Sequence, residues 1–216
     1  HHDGGYSTFR ADVTALLQDK NDLEVVADNS RNDYVYPQKA DFTFYGGIYR
    51  DAWLVVVSKD HFDMDYFGGP GFQVTPTVDG KNGKVHVQSW TNVENPEVVV
   101  TLTDADGKTV ASGKGTDLDL VIPGVHLWDG VEDPYLYTAT LQLMEKGKPV
   151  DEVSCRFGVR SFRVDPKEGF FLNGRKYPLH GVSRHQDRKG IGNALTREMH
   201  KEDMDLIREI GANTIR

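Results

Sequence analysis

Cysteine is nearly absent: of 216 residues only Cys155 carries a thiol. That excludes an intramolecular disulfide and any zinc site built on several cysteines. The plain reading of Cys155 is a buried apolar thiol. Long apolar runs are missing too. Nothing approaches the roughly 20 residues that cross a bilayer as a helix, so no membrane partner is expected. There is no Lys/Arg-rich stripe. The formal net charge is −8, spread along the chain, and nucleic-acid binding lacks its electrostatic footprint. The first ten residues, HHDGGYSTFR, do not have the apolar core of a signal peptide. The compartment stays open between cytoplasm and periplasm. What is present is 38% hydrophobic and 27% charged, ordinary for a globular protein with a real core.

The apolar residues that are there alternate. Between 71 and 160 come GFQVTPTVD, KVHVQSWT, EVVVTLTD, TVASGKG, LDLVI, YLYTATLQL and VDEVSCRFGVR. Most of them are separated by short stretches rich in Gly, Asn, Asp and Lys. Seven short strands in about 90 residues fit an immunoglobulin-like sandwich. The Cys…Trp…Cys hallmark of antibody domains is absent, so only the architecture follows. Upstream, LEVVAD (23–28) and AWLVVVS (52–58) also read as strands, the second apolar enough to be buried on both faces. A long loop with four tyrosines and a Gly-Gly pair separates them.

After Val164-Asp165-Pro166 the grammar changes. FFLNGRK (170–176) reads as a tight hairpin around Asn-Gly, and YPLHGV (177–182) as a buried strand. TREMHKEDMDLIREIGA follows, with Met199, Leu206, Ile207 and Ile210 on one helical face. Thr196 suits the N-cap, Glu198 the first turn and Gly211 the C-cap. NTIR (213–216) then begins another strand. Strand, loop, helix and strand form the opening of a parallel α/β unit. One such unit cannot cover both faces of its sheet, so the chain is expected to stop in mid-domain.

The stretch LHGVSRHQD (179–187) concentrates chemistry. In a parallel α/β barrel the carboxyl ends of the strands carry the site. Arg184, His185 and Asp187 would emerge after the first strand, and Arg216 at the end of the second. Such groups can donate to the hydroxyls of a sugar whose bonds tighten towards an oxocarbenium-like transition state. A metal on His180, His185 and Asp187 is the weaker reading, because His180 and His185 point to opposite faces of an extended segment. A purely structural role, satisfying backbone carbonyls, is the plain alternative. Ser183 lacks the Gly-x-Ser-x-Gly elbow of a nucleophile.

Four blocks, in order, resemble glycoside hydrolase family 2, and most closely its β-galactosidases. They are DFTFYGGIYRDAWL (41–54), LWDGVEDPYLYTATLQL (127–143), FGVRSFRVDPKEGFFLNGRKYPLHGVSRHQD (157–187) and DMDLIREIGANTIR (203–216). Together they span nearly the whole chain. The resemblance implies a mainly β fold in three parts. Residues 1–60 would be the C-terminal part of a jelly-roll sugar-binding domain, residues 61–163 an immunoglobulin-like sandwich, and residues 164–216 the start of a (β/α)8 TIM barrel. It implies that His185 and Arg216 contact the sugar. It also implies that Asp41, from a jelly-roll loop, contacts the sugar and a sodium ion. Tyr45, Arg50, Arg184 and Asp187 are expected to brace loops.

The family's acid/base and nucleophile glutamates match nothing before Arg216, nor do its usual magnesium ligands. No catalytic residue is therefore expected in this chain, and magnesium and sodium would belong to a longer parent. Glu198 and Glu202 share a helical face, but barrel helices form the outer ring. The resemblance implies a retaining enzyme that releases terminal β-D-galactose from β-galactosides, possessed by the parent and not by the segment. Family members often oligomerise, so a homo-oligomeric parent is compatible. The alternatives are a β-glucuronidase or β-mannosidase of the same family, or a non-catalytic sugar-binding module using Trp90 or Trp128. GVSRHQD leans towards a galactosidase, since glucuronidases tend to carry a lysine and a glutamate in that stretch.

Overall fold

The computed structural model describes residues 1–35, 39–40 and 43–216. The chain divides into two compact units, one formed by Val56–Leu179 and the other by His1–Val55 with His180–Arg216.

The unit from 56 to 179 holds the sandwich. Strands β1 (Phe72–Asp79), β2 (Asn82–Ser89) and β5 (Asp117–Ile122) form one antiparallel sheet in the order β1-β2-β5. Strands β3 (Glu97–Thr103), β4 (Thr109–Lys114), β6 (Tyr137–Glu145) and β7 (Lys148–Phe157) form the other, in the order β4-β3-β6-β7. The seven strands read from alternation are all present. Alternation is what lets one face of each pleat enter a shared core. From β2 come Val85 and Val87; from β3, Val98, Val100 and Leu102; from β6, Tyr137, Ala139, Leu141 and Leu143. All belong to one buried cluster with Leu120 and Ile122 of β5.

Cys155 lies half-buried against that core, and burial pushes its thiol up from its ordinary value. Trp90 and Trp128 are half-buried. Tyr66 stacks on Trp90 at 3.7 Å between ring centroids, and the Arg160 guanidinium lies 4.8 Å over the Trp128 ring. Each tryptophan therefore spends ring surface on an internal partner.

Strands β8 (Phe162–Asp165), β9 (Gly169–Leu172) and β10 (Arg175–Lys176) form a small antiparallel sheet. Asn173 and Gly174, at φ 51° and 80°, make the two-residue turn between β9 and β10. Both left-handed residues suit the right-handed twist of a hairpin. The Asn173 side chain also donates to the Trp128 carbonyl at 3.0 Å and to Asp129 at 3.1 Å, and accepts from the Ser161 amide at 3.0 Å. Arg175 pairs with Asp129 at 2.8 Å. The hairpin is thus tied to the 128–129 segment of the sandwich.

The other unit differs from expectation in its first part. The described residues of 1–55 form one 3₁₀ turn, Thr14–Leu16, and no strand. The strand readings at 23–28 and 52–58 are not met. Val26, Trp53 and Val56 are largely exposed. A strand is stable only on a ladder partner, and among the described residues these segments have none. In the second part, β11 (Gly181–Val182) and β12 (Thr214–Ile215) pair in parallel, joined through α1 (Arg197–Glu209). The strand read over 177–182 forms only at Gly181–Val182, and of its six residues only Tyr177 is buried. Pro178 has no amide to give a ladder, and Leu179 is half exposed.

Candidate functional site: the carboxyl ends of two parallel strands

The α1 helix forms where its signals lie. Thr196 is the N-cap, and its hydroxyl accepts from the Met199 amide at 3.4 Å. A cap of this kind contributes about 1 kcal/mol. Glu198 sits in the first turn, where its own backbone amide and the Thr196 hydroxyl hold its carboxyl below the ordinary range. Gly211 follows the end of the helix at φ 80°. The apolar face is present but not covered: Leu206 and Ile210 are exposed, and Met199 and Ile207 are half-buried.

The backbone sets the site. The Asn213 amide donates to the His180 carbonyl at 2.9 Å and the Arg216 amide to the Val182 carbonyl at 2.9 Å. The Arg184 amide then donates to the Arg216 carbonyl at 3.1 Å. This ladder places His185 and Arg216 at the same, carboxyl end of neighbouring parallel strands. Both side chains are exposed there. Asp41, the third residue implied to reach the sugar, lies outside the described residues.

Arg184 turns the other way, as a brace. Its Nε donates to Asp203 Oδ2 at 2.9 Å, its Nη2 pairs with the same oxygen, and Nη2 also donates to His200 Nδ1 at 3.0 Å. An arginine can only donate, so His200 accepts on Nδ1. The guanidinium holds the Asp203 carboxyl below the ordinary carboxylate range. Arg188 reaches the same helix, donating to Glu202 at 2.8 Å and lying 3.5 Å from Asp203. Its guanidinium is held charged chiefly by Glu202. Glu202 is thus the partner of a loop arginine.

The loop after His185 is closed on itself. The Arg188 amide donates to the Gly192 carbonyl at 3.0 Å, and the Gly192 amide to the Arg188 carbonyl at 3.0 Å. Residues 187–192 and Tyr45 line a cleft of about 630 Å³. Asp187 lies on this cleft wall; His185 and Arg216 do not. Arg50 reaches the loop as well, through Gln186 and Asn193. Sequence reading singled out Arg50 and Arg184 as braces but not their partners Gln186, Asn193, His200 and Asp203. The partners of Arg50 lie about 140 positions away, and no local pattern marks such pairs. Among the described residues no group of three or more His, Cys, Asp or Glu gathers in a metal-binding arrangement.

Residues 70–160 match the family described as Glycosyl hydrolases family 2, and residues 163–216 match its TIM barrel domain. The whole chain is 38% identical to a β-glucuronidase of Bacteroides fragilis, spanning 33% of that protein. Over 98% of its length it is 30% identical to a β-galactosidase of Bacteroides ovatus, spanning 26% of it. An FMN-binding β-glucuronidase of Faecalibacterium prausnitzii, known as a crystal structure, superposes with a TM-score of 0.81 at 40% identity. That match covers 87% of this chain and 30% of the other. The chain therefore spans about a third or less of each of these three proteins. With its sandwich and its first parallel barrel strands, it belongs to glycoside hydrolase family 2.

Proposed function

We propose that this segment supplies part of the sugar-binding rim of a retaining exo-β-glycosidase. One observation carries the reading: the parallel ladder that brings His185 and Arg216 to the carboxyl ends of adjacent strands, where barrel enzymes place their chemistry. Both can donate hydrogen bonds to sugar hydroxyls. Retaining hydrolysis needs two carboxyl groups about 5–5.5 Å apart, one as nucleophile and one as acid and then base. Among the described residues, Glu202 and Asp203 are held by Arg188 and Arg184 on the helix and are not offered as that pair. The glutamates that cleave the bond are assigned to the longer protein, and the segment alone is inactive.

The sugar we favour is a terminal β-D-glucuronide. The relatives at 38% and 40% identity are β-glucuronidases, and the β-galactosidase is at 30%. This moves the expectation away from galactose. The β-galactoside remains the second reading, favoured by GVSRHQD, which lacks the lysine and glutamate expected of a glucuronidase there. A sandwich-only binding module is disfavoured by the β11–α1–β12 unit, which such a module does not need.

The test uses the full-length protein with nitrophenyl β-glucuronide, β-galactoside and β-mannoside in parallel. The glucuronide should give the largest kcat/KM. Replacing His185 or Arg216 with Ala should lower it roughly tenfold to hundredfold, as expected for losing a charged hydrogen bond. Unchanged kcat/KM in both variants would remove these residues from the sugar site. Preference for the galactoside would establish the second reading.

A further inference from the structure

We propose that Arg50 and Tyr45 form a clamp that positions the loop carrying His185. It rests on the reading of His185 as a sugar contact and adds what holds that residue in place. The loop runs from His185 to Asn193. Its ends are gripped by one guanidinium: Arg50 Nη2 donates to the Gln186 side-chain oxygen at 2.9 Å, and Nη1 donates to the Asn193 carbonyl. Nη1 also reaches the Tyr49 carbonyl at 3.3 Å, fixing the fork to its own backbone. Gln186 is the neighbour of His185, so the clamp acts one residue from the proposed sugar contact.

Tyr45 meets the same loop near its far end. A Cβ on Gly192 would come within 2.8–3.0 Å of the Tyr45 ring, and Gly192 is at φ 55°. The ring therefore lies close against glycine backbone, where a Cβ would have to push it aside and would sit at a left-handed φ. The loop is also anchored to α1 through Arg188 and Glu202. It is thus held by two segments, 45–50 and the helix. The planar fork matters here. A lysine ammonium is a point charge and cannot span two acceptors at the two ends of a loop.

The experiment takes the full-length protein with Arg50→Lys, Tyr45→Ala and wild type. Amide hydrogen exchange over 187–193 is read together with kcat and KM on the preferred glycoside. In Arg50→Lys, exchange at Arg188 and Gly192 should rise roughly threefold to tenfold, the scale of a lost hydrogen bond to a charged donor that is partly solvated. KM should rise several-fold with kcat nearly unchanged, the pattern of a weakened binding contact. Tyr45→Ala should raise the same exchange by an independent route. The thermal midpoint should hold, which separates positioning from unfolding. Wild-type exchange in both variants, or a loss of activity that tracks a fallen midpoint, would overturn the clamp. If the wild-type protein cleaves none of the glycosides, the functional reading fails, and exchange alone still decides whether Arg50 and Tyr45 hold the loop.

Discussion

The two units of this chain are built on opposite terms. Every buried apolar side chain among the described residues lies between Phe62 and Tyr177. The described residues of 1–55 and 180–216 include none, yet that unit holds His185, Arg216 and the arginines that brace their loops. The sandwich is held by alternating Val, Leu and Ile that meet partners within the same hundred residues. The site is held by a short parallel ladder, guanidinium contacts and one aromatic ring on glycine. The buried core and the candidate site are thus held by different physics in different stretches.

Core truncation should give the widest contrast. Leu141, fully buried in β6, should cost about 2–5 kcal/mol as Leu141→Ala, through lost transfer energy and a residual cavity. Leu206→Ala, at a side chain 54% exposed, should stay within about 0.5 kcal/mol. Denaturant titration of both variants checks this. Equal costs would break the contrast.

A smaller effect is expected where the hairpin meets the sandwich. Asn173→Ala removes three side-chain hydrogen bonds and puts alanine at a left-handed φ. It should cost about 1–3 kcal/mol. Asn173→Gly should recover the backbone part only, and thermal unfolding of the pair separates the two.

The Arg184 contact should act locally. Arg184→Ala should speed exchange of the backbone amides at position 184 and at Arg216 without moving the global midpoint, because no core residue depends on it. Acid probes the same pair. Arg184 holds the Asp203 carboxyl below its ordinary value, so its contribution is fully present above about pH 4, the usual Asp value. It is lost only as pH falls through the lower value of the folded chain. Asp203→Asn should abolish that acid step in a chemical-shift titration of the Arg184 amide.

The same division explains what could be read in advance. The seven sandwich strands were legible because alternation and turn residues are local, and their partners lie nearby. The helix was legible from Thr196, Glu198 and Gly211. LEVVAD and AWLVVVS carry the same apolar signal, but a strand also needs a ladder, and no periodicity shows whether one is available. At the site, the positions of His185 and Arg216 followed from resemblance and from the order strand, helix, strand. The Arg50–Gln186 and Arg184–Asp203 contacts were not legible, because each joins segments whose spacing no local rule sets. Asp41, implied by resemblance, lies outside the described residues.

The most direct test is to assay the 216-residue chain and the full-length protein side by side on nitrophenyl β-glucuronide and β-galactoside. Hydrolysis by the full-length protein and none by the segment is the predicted result. Hydrolysis by the segment alone would contradict it, and would assign the chemistry to carboxylates within residues 1–216.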